Sequence, residues 1–183
     1  MMKDYHLTKA SIMTPFELKK SLESMILLVD SREQPTENLK NRIEQTGLPH
    51  ERRKLDFGDY SCQCILPDGS ILDFSNRTVI ERKMNLDELC LCFGKERGRF
   101  EREFERAKAA GCRIYLLVEN GTWEHAYCGK YRSKYNPKAL IASIDAYRAR
   151  YGMQLDFCKA ETTGNLIRDI LYRELKEVLE NEY

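Results

Sequence analysis

The chain has 183 residues, 42% of them hydrophobic and 10% aromatic, which suits one domain around one core. Charged residues make up 32% and the net charge is only +1, a balance that excludes a disordered polyelectrolyte but not a local basic face. No run reaches transmembrane length and the stretch holding Lys3, Asp4 and His6 lacks the apolar segment of a secretory leader, so the seven cysteines are expected as free thiols in a reducing cytoplasm.

In chain order, Thr14-Pro15-Phe16-Glu17 opens a helix predicted over 14–24, with Thr14 as N-cap, Pro15 at the first helical position and Glu17 completing a capping box. Met25 to Asp30 is a short apolar run and reads as a buried strand. Pro35 breaks it, and Leu39, Ile43 and Thr46 mark a short helix closed by Gly47. Glu51 to Leu55 and Asp59 to Leu66 read as arms of a hairpin-rich sheet; Pro67-Asp68-Gly69 is a turn, Ile71 to Phe74 the return, and Thr78 to Arg82 a further strand. Asn85, with Glu88 three residues on, caps the next helix. Lys95 to Ala110 follows as a helix with Phe100, Phe104 and Ala107 on one face and Gly111 as its stop.

Arg113 to Glu119 is a buried strand expected parallel to the first. His125 to Lys138 reads as a basic loop. Asn136-Pro137 then opens a helix carrying Leu140, Ile141, Ile144 and Tyr147 and ended by Gly152; Gln154 to Cys158 is a strand, and Thr162 or Thr163 caps a final helix through Leu166, Ile167, Ile170, Leu171, Leu175 and Val178. An antiparallel front followed by helix, strand and helix predicts an α/β domain over 1–183, a mixed β-sheet with helices on both faces, its core over 26–119 and its C-terminal helix-strand-helix over 136–181.

The chemistry concentrates between Phe57 and Asp87. Glu81 and Lys83 share one face of a strand, because side chains repeat every second residue, and Asp59 closes the preceding turn. Two carboxylates can hold a hard cation through oxygen while a lysine meets a phosphate. Taken singly, each residue has a bland reading: Asp59 as a turn residue, Glu81 and Lys83 as an ion pair on a solvated face. Arg82 alternates to the opposite face. Two basic stretches are candidate phosphate contacts: Arg97 and Arg99 at a helix start, and Lys130, Arg132 and Lys134, interleaved with Tyr131 and Tyr135 for ring stacking. Their bland readings are a helix laced with ion pairs and a solvated loop. Trp123 reads as packing. Cys62-x-Cys64 and Cys90-x-Cys92 depart from the usual zinc-knuckle spacing, so a cysteine-based metal or redox protein is the least favoured class.

The ordered string Gly58-Asp59, Glu81-Arg82-Lys83 and Asp87 closely resembles the signature of the XPF/Mus-type structure-specific endonucleases, which belong to the restriction-endonuclease-like nucleases. Leu27-Leu28-Val29-Asp30-Ser31-Arg32-Glu33 is similar to that family's first motif, and Gly98-Arg99-Phe100 falls where the family carries Gly-Arg and an apolar residue. The resemblance implies a restriction-endonuclease-like sheet and Mg²⁺-dependent hydrolysis of DNA, flap, fork or junction in form, with Mn²⁺ able to substitute. It implies Asp59, Glu81 and the main-chain carbonyl of Arg82 as metal ligands, Asp30 as an acid near the metal or on a second one, and Lys83 beside the scissile phosphate. It also implies catalytic-site places for Arg32, Glu33, Arg82 and Asp87. Asp87 has a bland reading too, as a carboxylate favoured in the first turn of a helix. DNA is the expected partner, with a homodimer through the nuclease domain that uses apolar surface of the last two helices. No helix-hairpin-helix pattern follows, so the format is similar to single-domain versions from phages and bacterial mobile elements. The alternative is a catalytically silent DNA-binding or partner module.

Overall fold

The computed structural model describes residues 13–183; Lys3, Asp4 and His6, which bear on a secretory leader, lie outside the described residues. The elements run α1 (Pro15–Glu23), β1 (Ile26–Asp30), α2 (Glu37–Thr46), β2 (His50–Arg53), β3 (Tyr60–Ile65), β4 (Ile71–Asp73), β5 (Thr78–Lys83), α3 (Leu86–Phe93), α4 (Arg97–Ala109), β6 (Arg113–Glu119), α5 (Trp123–Cys128), α6 (Pro137–Tyr151), β7 (Gln154–Cys158) and α7 (Ala160–Glu182). The strands form a seven-stranded mixed sheet in the order β2-β1-β3-β5-β6-β7, with β4 pairing β3. Pairing is antiparallel across β1-β3 and β3-β5 and parallel across β5-β6 and β6-β7. Two antiparallel steps bring β5, and hence β6, back into the sense of β1, as the sequence predicts.

The mixed α/β architecture is the expected one, and most caps are those read from sequence. Thr14 and Glu17 form a reciprocal capping box, Asn85 caps α3, and Gly47 and Gly152 close α2 and α6 in left-handed geometry, while the Thr36 cap of α2 is added by the structure. Three expectations are corrected. The 51–55 segment is not a hairpin arm against β3: β2 lies parallel to β1 at the sheet edge, because α2 provides the crossover that parallel neighbours require. The segment after β6 holds a short helix, α5, capped by Thr122 and closed by Gly129. The final helix starts at Ala160 rather than after Thr162; both threonine hydroxyls donate back to the Lys159 carbonyl inside its first turn.

One core cluster joins α3, α4 and α6 to one sheet face through Phe93, Phe100, Phe104 and Tyr147, with T-shaped ring pairs at 4.9–5.7 Å. The other joins α2 and α7 to the opposite face through Leu39, Tyr60, Ile80, Ile167, Leu171 and Leu175. The apolar stripes of α6 and α7 are built into these two clusters. Leu140, Ile144, Leu171, Leu175 and Leu179 are fully buried. Trp123 packs edge-on against Phe157 at 5.2 Å. Among the described residues, no helix is long and apolar enough to cross a membrane.

Candidate active site

The strand ends of β1 and β5 and the turn into β3 meet at one edge of the sheet, and α3 and α4 wall the space above it. The resulting polar cleft, about 220 Å³, is lined by Asp30, Arg32, Glu33, Gly58, Asp59, Glu81, Arg82, Lys83, Glu88, Arg99 and Glu103. Open α/β sheets gather their sites at such strand ends. Gly58 makes the turn into the cleft possible. Its φ is +70°, and a Cβ there would sit 2.8 Å from Val79 Cβ, so only glycine lets the turn lie against β5. Its N–H donates to Glu103 Oε1 at 2.9 Å, which joins the turn to α4.

Asp59 Oδ2 accepts from the Arg82 main-chain N–H at 2.7 Å. Glu81 is 6% exposed and its Oε1 accepts from Lys83 Nζ. Asp59 Oδ1 and Glu81 Oε2 accept no hydrogen bond from the described residues. Burial pushes the Asp59 carboxyl well above its ordinary range, and repulsion from Glu81 adds to this. Burial raises Glu81 as well, against the pull of Lys83. For Lys83, burial alone would favour the neutral amine, but Glu81 and Asp59 outweigh it and hold the ammonium above its ordinary pKa.

This donor set fits a hard divalent ion. Two crowded carboxylates, each with a free oxygen, repel one another until a cation lies between them. Among the described residues, no three or more His, Cys, Asp or Glu side chains form a metal cage. A cation here would rest on few protein ligands, as Mg²⁺ does when it keeps most of its waters.

Asp30, expected as an acid near the metal or on a second one, is held in this structure by a set of hydrogen-bond donors. Its side chain is 2% exposed and its oxygens are already engaged: Oδ1 accepts from Arg32 N and Nε at 2.7 and 2.8 Å, and Oδ2 from Arg32 Nη2 and Leu55 N at 2.8 Å each. Burial would raise its pKa, yet these donors hold the carboxyl below the ordinary range. Asp30 thus anchors the turn after β1 and aims Arg32 at the cleft. Glu33 does line the cleft, where Tyr60 Oη donates to it at 3.3 Å.

The Arg82 guanidinium points away from Glu81 and Lys83, as alternation predicts. It meets Glu119 Oε2 at 3.0 Å; Glu119 Oε1 meets Arg42 Nε at 3.3 Å, and Arg42 Nη1 donates to Tyr60 Oη at 2.9 Å. A buried polar chain therefore runs under the cleft floor from Arg82 to Glu33. These contacts agree with the strand alternation, which sets the Arg82 side chain apart from Glu81 and Lys83.

Asp87 also stands apart from the cleft. It lies in the first turn of α3 but outside the cleft lining, where it accepts from Ser133 N at 2.6 Å and Arg132 Nε at 3.4 Å. Arg99 lines the cleft, paired with Glu96, whereas Arg97 is exposed outside it. Lys130, Arg132 and Lys134 are exposed on the segment after α5. Tyr131 and Tyr135 are not free for ring stacking: they pack on the core, and their hydroxyls donate to the Tyr135 and Phe93 carbonyls at 2.9 and 3.2 Å.

Sequence reading misses Glu88, seen only as a cap, and Glu103. The signal for Glu103 is its i,i+4 spacing from Arg99, which places both on one helix face. Arg42, Glu119 and Tyr60 carry no local signal, since a buried ion chain assembled from distant elements has no sequence period.

A conserved-domain comparison matches the ERCC4 domain over residues 29–170, and the chain belongs to that family. Among solved structures it is similar to XPF from Aeropyrum pernix, with TM-score 0.56 and 20% identity over 80% of this chain and 59% of that one. It is likewise similar to XPF from Aeropyrum pernix in complex with DNA, with TM-score 0.55 and 21% identity over 83% of this chain and 65% of that one. The chain thus spans less than two thirds of either relative, and at this identity the likeness shows the fold. No curated protein matches.

Proposed function

We propose that this domain is a Mg²⁺-dependent endonuclease that hydrolyses phosphodiester bonds of branched or structured DNA, leaving a 5′-phosphate and a 3′-hydroxyl. The observation that carries the reading is the convergence of Asp59, Glu81 and Lys83, far apart or alternating in sequence, on one polar cleft. Membership of the ERCC4 family and the fold of a relative described in complex with DNA support it. Asp59 and Glu81, with the Arg82 carbonyl, would hold Mg²⁺ or Mn²⁺. The ion supplies Lewis acidity toward a phosphate oxygen and toward water. Lys83, kept charged by its neighbours, donates hydrogen bonds to the attacking water and to the phosphate as negative charge develops; it cannot take up a proton. Arg32 and Arg99 at the cleft wall offer further phosphate contacts.

A catalytically silent DNA-binding module is the competing class. The intact trio speaks against it, because burying two acids and a lysine together is costly and has no purpose in a dead site. The deciding experiment is cleavage of flap, fork, junction, single-strand and duplex DNA with Mg²⁺ or with EDTA. Metal-dependent cuts on at least one substrate are expected; binding without cleavage under any metal would leave the silent module.

A further inference from the structure

The segment 129–136 alternates. Lys130, Arg132 and Lys134 are exposed, while Tyr131, Ser133 and Tyr135 turn inward. The inward set is fastened to α3 and its end: Ser133 N donates to Asp87 Oδ1 at 2.6 Å, Tyr135 Oη to the Phe93 carbonyl at 3.2 Å, and a Cβ on Gly94 would lie 3.5 Å from the Tyr135 ring. The outward set is a comb of cations, one at every second residue of a bent segment between α5 and α6. Asp87 stands next to Glu88, which lines the cleft and lies 3.9 Å from Lys83 Nζ. One helical turn thus carries both a cleft residue and the fastening of the comb. A main-chain N–H bonded to a carboxylate at this distance is a charge-assisted bond, stronger than the exposed Arg132 contact beside it.

We propose that Asp87 is a positioning residue, which fixes the 129–136 segment so that Lys130, Arg132 and Lys134 grip the phosphates of a DNA strand whose scissile bond lies in the cleft. The proposal rests on the nuclease reading and deepens it. The last acid of the motif then acts on where the strand lies, not on the reacting atoms.

The test compares wild type, Asp87→Ala, Asp87→Asn, Lys130→Ala/Lys134→Ala and Asp87→Ala added to that pair. Binding of labelled fork DNA is measured in EDTA across a salt series, and cleavage kinetics with Mg²⁺. Asp87→Ala is expected to weaken binding, lower the salt slope by roughly one to two units and raise KM with kcat unchanged. Asp87→Asn keeps an acceptor for Ser133 N and is expected to stay close to wild type. Adding Asp87→Ala to the lysine pair is expected to cost nothing more, since both changes remove the same contacts.

Loss of kcat with unchanged binding, in Asp87→Ala or in Asp87→Asn, overturns the proposal and returns Asp87 to the reacting atoms. Full additivity with the lysine pair overturns it as well. Should Asp87→Ala fail to fold, Asp87→Asn decides: normal kcat and salt slope support positioning. A wild type that neither binds nor cuts DNA removes the nuclease reading itself, and this proposal with it; a wild type that does both while the comb variants behave normally removes only the proposal.

Discussion

Asp59 Oδ2 accepts the Arg82 main-chain N–H at 2.7 Å, across 23 residues of sequence. This bond joins the turn that enters β3 to the strand carrying Glu81 and Lys83. It fixes one oxygen of Asp59 and leaves the other facing the cleft. The same bond holds Asp59 close enough to Glu81 for the two acids to repel, a contact that a bound cation would relieve.

Removing that repulsion should stabilise the metal-free protein. Asp59→Asn keeps an acceptor for Arg82 N and deletes the charge. In EDTA at neutral pH its thermal midpoint is expected to rise by about 2–4 °C per kcal/mol of relieved repulsion. Mg²⁺ should raise the midpoint of wild type but not of the variant, and cleavage should fall by orders of magnitude. A variant less stable than wild type in EDTA would show that Asp59 is a structural residue.

Asp30→Asn should behave in the opposite way. Its amide would point a donor at the Leu55 N–H or at Arg32, leaving a buried donor unmatched at a cost of about 1–3 kcal/mol. Because hydrogen bonds lower the Asp30 pKa below the ordinary 3.8, its contribution is fully present above that value and is lost as pH falls through the lower folded value. Unfolding curves should therefore show a full gap between wild type and variant at neutral pH that closes in acid. Calorimetry should find the Mg²⁺ affinity of Asp30→Asn close to wild type; its loss would make Asp30 a ligand after all.

Lys83→Ala tests chemistry against binding. The rate at saturating DNA is expected to fall about 10²–10³-fold, the scale for losing one donor aimed at developing charge. DNA affinity in EDTA should change little, because the exposed cations elsewhere are untouched. Equal losses in affinity and rate would place Lys83 in binding.

Much of this was legible in the sequence because it is local. The capping box at Thr14 and Glu17, the Asn85 cap and the apolar run of β6 each follow from residues a few positions apart. Glu81 and Lys83 share a face by strand periodicity alone, while the convergence of Asp59 with them needed the motif order. The β2 edge was misread because the residues of 51–55 cannot say whether β1 or β3 is their neighbour; that is decided by α2 docking on α7. Gly164 shows the difficulty: a Cβ there would fall 2.3 Å from the Arg42 carbonyl, so helix contact depends on its bare backbone, yet in sequence it is one glycine in a helix. A residue type suited to binding a ligand is equally suited to fastening a segment, as the contacts of Asp87, Tyr131 and Tyr135 show.

The ion chain beneath the cleft gives the last prediction. Glu119 is 3% exposed and bridges Arg42 and Arg82. Glu119→Ala would leave the buried Arg42 guanidinium with only Glu33 at 4.0 Å as a carboxylate neighbour, and Arg82 with no acid on a guanidinium already unpaired at Nε. Breaking a buried pair in this way costs about 3–5 kcal/mol, a large share of the roughly 5–15 kcal/mol that holds a domain folded. Urea unfolding should show the midpoint falling with its slope unchanged. Glu119→Gln, which keeps one acceptor, should lie between. Arg42→Met combined with Glu119→Leu should recover part of the loss, because it removes the more buried of the two arginines that would lose their carboxylate and leaves only Arg82. Since the chain ends on Tyr60 and Glu33, Glu119→Gln should also lower cleavage at a temperature where it is fully folded, while leaving DNA affinity in EDTA unchanged. A Glu119→Ala variant within about 0.5 kcal/mol of wild type, the range of ordinary surface changes, would show that water or another partner satisfies the two arginines.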